Sequence, residues 1–141
     1  MSTTEETMLP ATDRLAIQDL YGRYALVVDR GDAAAYAECF TEDGRFEIAG
    51  DDETVAVGRE QIQGFAQAHI DSPRSAVLHH ITTLSVDAAP GGAVGSAYAM
   101  EVLGVRPISS IRYDDELVKD DDGRWRFARR VVTVRGLEMV D

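Results

Sequence analysis

The stretch Thr12-Asp13-Arg14-Leu15-Ala16-Ile17-Gln18-Asp19-Leu20-Tyr21-Gly22-Arg23-Tyr24-Ala25-Leu26-Val27-Val28-Asp29-Arg30-Gly31-Asp32 sets the architecture. Ile17, Leu20, Tyr21, Tyr24, Ala25 and Val28 recur at helical spacing and make one apolar stripe, with Arg14, Gln18, Asp19 and Arg23 away from it. Thr12 or Asp13 is placed to cap the helix, and Gly31 to stop it in the left-handed conformation. Through Leu26, Val27 and Val28 the helix turns apolar all round, so its end is expected to be wrapped by protein. Asp29 then sits where the helix dipole is negative and water is scarce. Such a carboxylate needs a partner, and an acid held that way is a candidate for proton-transfer chemistry.

Downstream, Asp32 caps a short helix from Ala33 to Cys39, and Thr41-Glu42-Asp43-Gly44 carries a turn signal. Two short strands, Arg45–Ile48 and Thr54–Val57, precede a third helix, Arg59 to Ile70, with Ile62, Phe65, Ala66 and His69 on one side. After Ser72-Pro73 the pattern is strand to the end: Ala76–Val86, Gly92–Val105, Ile108–Lys119 and Arg124–Arg135, the last two joined at Asp121-Asp122-Gly123. Helices first and long antiparallel strands after define an α+β domain with a strongly curved sheet. The expected boundaries are a tail over 1–10, one domain over 11–137 and a C-terminal tail over 138–141.

A chain of 141 residues can bury roughly two-thirds of its unfolded surface, enough for a core and a cavity. The net charge of −11 sets most of its surface against nucleic acid and anionic membranes. One cysteine, Cys39, excludes an internal disulfide and any cysteine-based zinc site. Met1–Met8 lack the basic start and apolar run of a signal peptide, and no stretch reaches the roughly 18 apolar residues of a membrane span. The expectation is a cytoplasmic protein.

Three histidines are present, and His79 and His80 adjoin in one strand, so one faces the helices and the other faces away. An imidazole inside a cavity is a natural general base, and a carboxylate such as Asp29 would orient it. Alternation alone does not choose between His79 and His80. No His-x-His, His-Glu-x-x-His, phosphate-loop or nucleophile-elbow pattern occurs, so no metal or cofactor is expected. Arg124, Arg126, Arg129, Arg130 and Arg135 are expected to pair mostly with Asp114, Asp115 and Glu116 across strands. Arg129 and Arg130 have opposite parity, and one of them can point inward to a ligand.

The order of these segments carries a resemblance. The helix Leu-Ala-Ile-Gln-Asp-Leu-Tyr-x-x-Tyr ending in Asp29 comes first, then Phe40-Thr41-Glu42-Asp43-Gly44-Arg45-Phe46 and Gly58-Arg59-Glu60-Gln61-Ile62. His79-His80-Ile81-Thr82-Thr83 and Asp122-Gly123-Arg124-Trp125-Arg126-Phe127-Ala128-Arg129-Arg130 follow. Together they resemble the SnoaL-like branch of the nuclear transport factor two superfamily, nearest the group of scytalone dehydratase, hexachlorocyclohexane dehydrochlorinase and bile-acid 7α-dehydratase. The resemblance implies a cone of curved antiparallel sheet closed by about three N-terminal helices around a deep apolar pocket. It also implies a cofactor-free dyad in which Asp29 holds His79, the histidine of a His-x-x-x-Asn pattern whose last position is Thr83 here. Tyr24 falls on a pocket tyrosine that polarises a substrate oxygen, and Arg130 on a pocket position of the last strand. A second histidine on a later strand, as in scytalone dehydratase, is absent.

The implied activity is dehydration, isomerisation or cyclisation of a hydrophobic, polycyclic or aromatic small molecule. The alternative is a non-catalytic module of the same fold that binds such a ligand. Either is compatible with a homodimer or higher homo-oligomer through the open sheet face, where His80, Thr82, Leu84 and Val86 are expected contacts.

Overall fold

A computed structural model describes residues 8–136; the expected tails fall largely or wholly outside these residues. Three helices, α1 (Ala11–Asp29), α2 (Ala33–Glu38) and α3 (Gly58–Ile70), accompany six strands. The strands are β1 (Phe40–Ile48), β2 (Asp51–Val57), β3 (Val77–Ala89), β4 (Gly92–Leu103), β5 (Arg106–Lys119) and β6 (Trp125–Gly136). They form one sheet in the order β2-β1-β6-β5-β4-β3, antiparallel except where β1 runs parallel to β6. The sheet curves but does not close, and the helices cover its inner face, giving the α+β cone.

The stripe on α1 is buried as its spacing requires, with Ile17, Leu20, Tyr21, Tyr24, Ala25 and Val28 all in the core. The helix stops at Gly31, whose φ of 81° suits a residue without Cβ. Its start differs from expectation. Pro10 occupies the cap without a side-chain bond, and Asp13 instead accepts Trp125 Nε1–H (3.0 Å) and Lys119 Nζ (3.3 Å), fastening the first turn to β5 and β6. Asp32 caps α2 by accepting Ala35 N–H at 3.0 Å. The wrapping of the α1 end is also partial: Leu26 is half exposed, and only Val28 of the three apolar residues turns fully inward.

Thr41–Gly44 is strand rather than turn. Between the pairs Phe40↔Phe127 and Arg45↔Arg129, β1 advances five residues while β6 advances two, so the turn-forming residues are taken up as a bulge within the strand. A second irregularity lies in β3 between Ile81 and Thr83. Before it, Leu78 and His80 face outward; after it the parity reverses, and Leu84 and Val86 turn toward the core. They are therefore not outer-face contacts, whereas His80 and Thr82 are exposed. Thr83 is exposed as well, opposite Tyr98.

On β4 the small residues Ala93, Gly95, Ala97 and Ala99 face in, and Val94, Tyr98 and Met100 face out. The helix side is too close for anything larger: a Cβ on Gly95 would collide with the Tyr21 hydroxyl. The packing of α1 on the sheet thus dictates small residues inside and leaves large ones on the outer surface.

Candidate active site

Between the helices and the concave side of the sheet lies a cavity of about 290 Å³. Its apolar lining comes from Val28, Phe46, Ile48, Phe65, Ile111, Val132 and Val134. The polar lining consists of Tyr24, Tyr36, Tyr113, His69, His79, Arg74 and Glu101. This is the composition of a small-molecule site, mostly hydrophobic with a few convergent polar groups.

Asp29, the last residue of α1, meets His79 in β3. Its Oδ1 lies 2.8 Å from His79 Nδ1, and its Oδ2 accepts the His79 backbone N–H at 2.9 Å. One carboxylate therefore clasps both the ring and the main chain of a single residue, fixing the imidazole about its side-chain torsions. These two donors are the compensation that an acid at a helix C-terminus needs, since no basic residue stands in the last turn of α1. An ionised carboxylate only accepts, so Nδ1 carries a hydrogen, and in the neutral tautomer this leaves the lone pair on Nε2. His79 is the cavity residue, and the neighbouring His80 is exposed on the other face.

Glu101 lies opposite His79 across the β3–β4 pair, 5% exposed, with Oε2 at 3.8 Å from Nε2. Burial raises the affinity of its carboxyl for a proton. Donation from the Ser109 hydroxyl and the Arg74 guanidinium more than offsets this and holds it below the usual carboxylate range. His69, from the last turn of α3, places its ring centroid 5.8 Å from that of His79. Burial first, with the Arg74 guanidinium adding to it, pushes its imidazole toward the neutral form.

Toward the interior, the Tyr24 and Tyr36 hydroxyls are 2.6 Å apart. Only one of the two hydrogens is consumed between them, which leaves the other for a ligand oxygen. Burial drives both phenols upward and keeps them protonated. Tyr113 contributes a third ring to the lining.

Arg130 does not line the cavity, contrary to its expected role as a ligand contact. It points inward but stops behind Tyr24 and Tyr113, fully buried, with its guanidinium carbon 4.3 and 3.8 Å from those ring centroids. Asp115 takes two bonds from it, at 2.7 and 2.8 Å, and also accepts the Tyr21 hydroxyl. Arg129, of opposite parity, pairs outside with Glu47 and Glu116. Arg130 holds the wall of the cavity from behind.

The residues alone leave the facing of Glu101 open, as they do for Tyr98, Met100 and Arg112, and do not bring His69 into the site. The signal for Glu101 was the run of small residues at the same parity, Ala97 and Ala99. Among the described residues no cluster of three or more His, Cys, Asp or Glu is arranged to hold a metal ion, and no helix is long and apolar enough to cross a membrane. Cys39 is buried, its thiol pushed up to about 11 by desolvation, which makes it a packing residue.

The SnoaL-like domain family matches residues 10–131. Among solved structures, a protein of unknown function from Mycobacterium tuberculosis, determined as an Asp-to-Asn variant, is 32% identical; the match covers 88% of this chain and 72% of that one, with a TM-score of 0.76. A protein from Catenulispora acidiphila, solved in complex with S-DNPA, is 28% identical over 94% of this chain and 100% of that one, TM-score 0.76. A protein of unknown function with a cystatin-like fold from Nostoc punctiforme is 22% identical, covers 91% and 95%, and has a TM-score of 0.81. No protein of curated function matches the chain.

Proposed function

We propose that this chain, which belongs to the SnoaL-like domain family, is a cofactor-independent acid–base enzyme, a lyase or isomerase acting on a hydrophobic aromatic or polycyclic small molecule. The family and fold support a role in binding or transforming a small molecule; the dyad supports the finer reading. One observation carries it: Asp29 clasps His79 at both ring and backbone, leaving Nε2 as the free nitrogen of a cavity-lining imidazole.

In this reading Nε2 removes a proton from a carbon made acidic by a neighbouring carbonyl, and the bonding pair moves into an enolate. The Tyr24–Tyr36 hydroxyl pair donates a hydrogen bond to the developing oxyanion, and Asp29 stabilises the imidazolium. In elimination the enolate expels a leaving group from the next carbon, and the proton on His79 passes to that group. In isomerisation it returns to a different carbon. The apolar wall excludes water that would otherwise solvate the base. The acid–base component contributes about 10²–10⁴-fold, and positioning adds to it.

The test is turnover of aromatic β-hydroxy ketones followed by mass spectrometry for loss of water or change of retention. Asp29→Asn and His79→Ala should each abolish conversion with unchanged circular dichroism. Near-wild-type rates in either variant would remove the dyad from the chemistry, and binding without conversion across the panel would favour a ligand-binding module. The reading extends to a homodimer through the outer sheet face, supported by the exposure there of Leu78, Val94, Tyr98 and Met100.

A further inference from the structure

The proton transfer described above makes no use of Arg74 or of the charge on Glu101, yet both line the cavity beside His79. Arg74, in the short turn Pro73–Ala76, carries the only guanidinium or ammonium among the cavity-lining residues. Its Nη2 donates to Glu101 Oε2 at 2.5 Å, and the Ser109 hydroxyl donates to the other carboxylate oxygen. The positive charge at this end of the cavity is thus neutralised by a buried carboxylate of the same chain. Arg130 lies behind the tyrosines, its charge paired with Asp115 through Nε and Nη2. Nothing in the lining offers an uncommitted positive charge, and the chain as a whole carries −11.

We infer that Glu101 is a specificity-determining residue that makes the cavity select uncharged aromatic ligands and reject otherwise identical carboxylates. A ligand carboxylate reaching Arg74 would have to share its guanidinium with Glu101, which takes one bond from Nη2. It would then lie against that buried negative charge in surroundings of low polarity. An amide or ketone of the same shape meets no such opposition and can accept from Arg74 or the tyrosines. The inference rests on the proposed reading of this cavity as the ligand site, and it narrows the substrate to a neutral carbonyl compound.

The experiment is calorimetric titration with 2-naphthamide and 2-naphthoate, which share size and shape and differ in charge at about pH 7.5. The wild-type protein is expected to bind the amide at least about tenfold more tightly. Glu101→Gln keeps the hydrogen-bonding shape while releasing Arg74; it should tighten 2-naphthoate at least about tenfold and move the amide less than about threefold. Arg74→Gln should weaken 2-naphthoate further, and by more than it weakens the amide, which keeps the tyrosine donors. Equal wild-type affinities, absence of binding by the amide, or naphthoate binding indifferent to Glu101→Gln would each overturn the inference. Because the readout is binding, the two claims separate: a charge-blind cavity with turnover dependent on Asp29 and His79 overturns this inference alone. Charge selectivity with turnover indifferent to both overturns the enzymatic reading alone.

Discussion

Replacing Arg130 by Met separates a wall-supporting role from a ligand-binding one. Arg130 and Asp115 both have fully buried side chains, joined by bonds of 2.7 and 2.8 Å, and ring faces at 3.8–4.3 Å enclose the guanidinium. Met fills much of the volume but leaves the Asp115 carboxylate buried with the Tyr21 hydroxyl as its remaining side-chain donor. Breaking a buried ion pair from one side costs about 3–5 kcal/mol, because a charge stays behind without compensation. At a few degrees per kcal/mol for a domain of this size, the midpoint of thermal unfolding should fall by about 10–20 °C. Adding Asp115→Asn removes the stranded charge, keeps an acceptor for Tyr21, and should recover at least half of the loss. Urea and thermal melts followed by circular dichroism measure both variants. A loss under about 1 kcal/mol for Arg130→Met, within the range of ordinary surface changes, would refute the reasoning. Unchanged stability with lost ligand affinity would return Arg130 to the cavity.

Three further outcomes follow from the packing. His69 is held below its ordinary value near 6.5 in the folded state, so as pH falls through that value the unfolded chain binds its proton first and stability declines. His69→Gln should therefore flatten the difference in denaturation midpoint between about pH 7 and 5.5, and an identical slope in both proteins would contradict this. Gly95→Ala should destabilise by about 1–3 kcal/mol, since the new Cβ meets a Tyr21 hydroxyl that Asp115 holds in place; a neutral effect in urea melts would show that α1 can shift. On the outer face Tyr98 is 53% exposed, and Tyr98→Glu should convert the proposed homodimer to monomer in light scattering, whereas a wild-type monomer would dispose of that interface.

Much of this arrangement is readable from the residues, and where it is not, the cause is physical. The α1 stripe is buried residue for residue because helical periodicity and a single core leave no other placement. Strand parity is harder. The bulge between Ile81 and Thr83 reverses the facing of everything beyond it, so alternation counted from His80 puts Leu84 and Val86 on the wrong side. Thr41–Gly44 have turn chemistry yet lie in β1, where parallel pairing with β6 takes the extra residues up as a bulge. In β4 the usual sign of burial is inverted: Ala97, Ala99 and Glu101 face in while Tyr98 and Met100 face out, and at Gly95 the Tyr21 hydroxyl leaves no room even for a Cβ. Glu101 was therefore hidden by its own polarity and by the size of its neighbours. Asp29 and His79 needed the family pattern, since their meeting joins residues fifty positions apart through a contact that periodicity cannot specify.

The central claim is that His79 removes a carbon-bound proton while Asp29 holds it, and solvent exchange tests this most directly. Aromatic ketones incubated with the protein in D2O should take up deuterium at the carbon next to the carbonyl, followed by NMR. Asp29→Asn and His79→Ala should each slow uptake by about 10²-fold or more while folding normally. Deuterium uptake that proceeds equally in the wild-type protein and both variants would contradict the account.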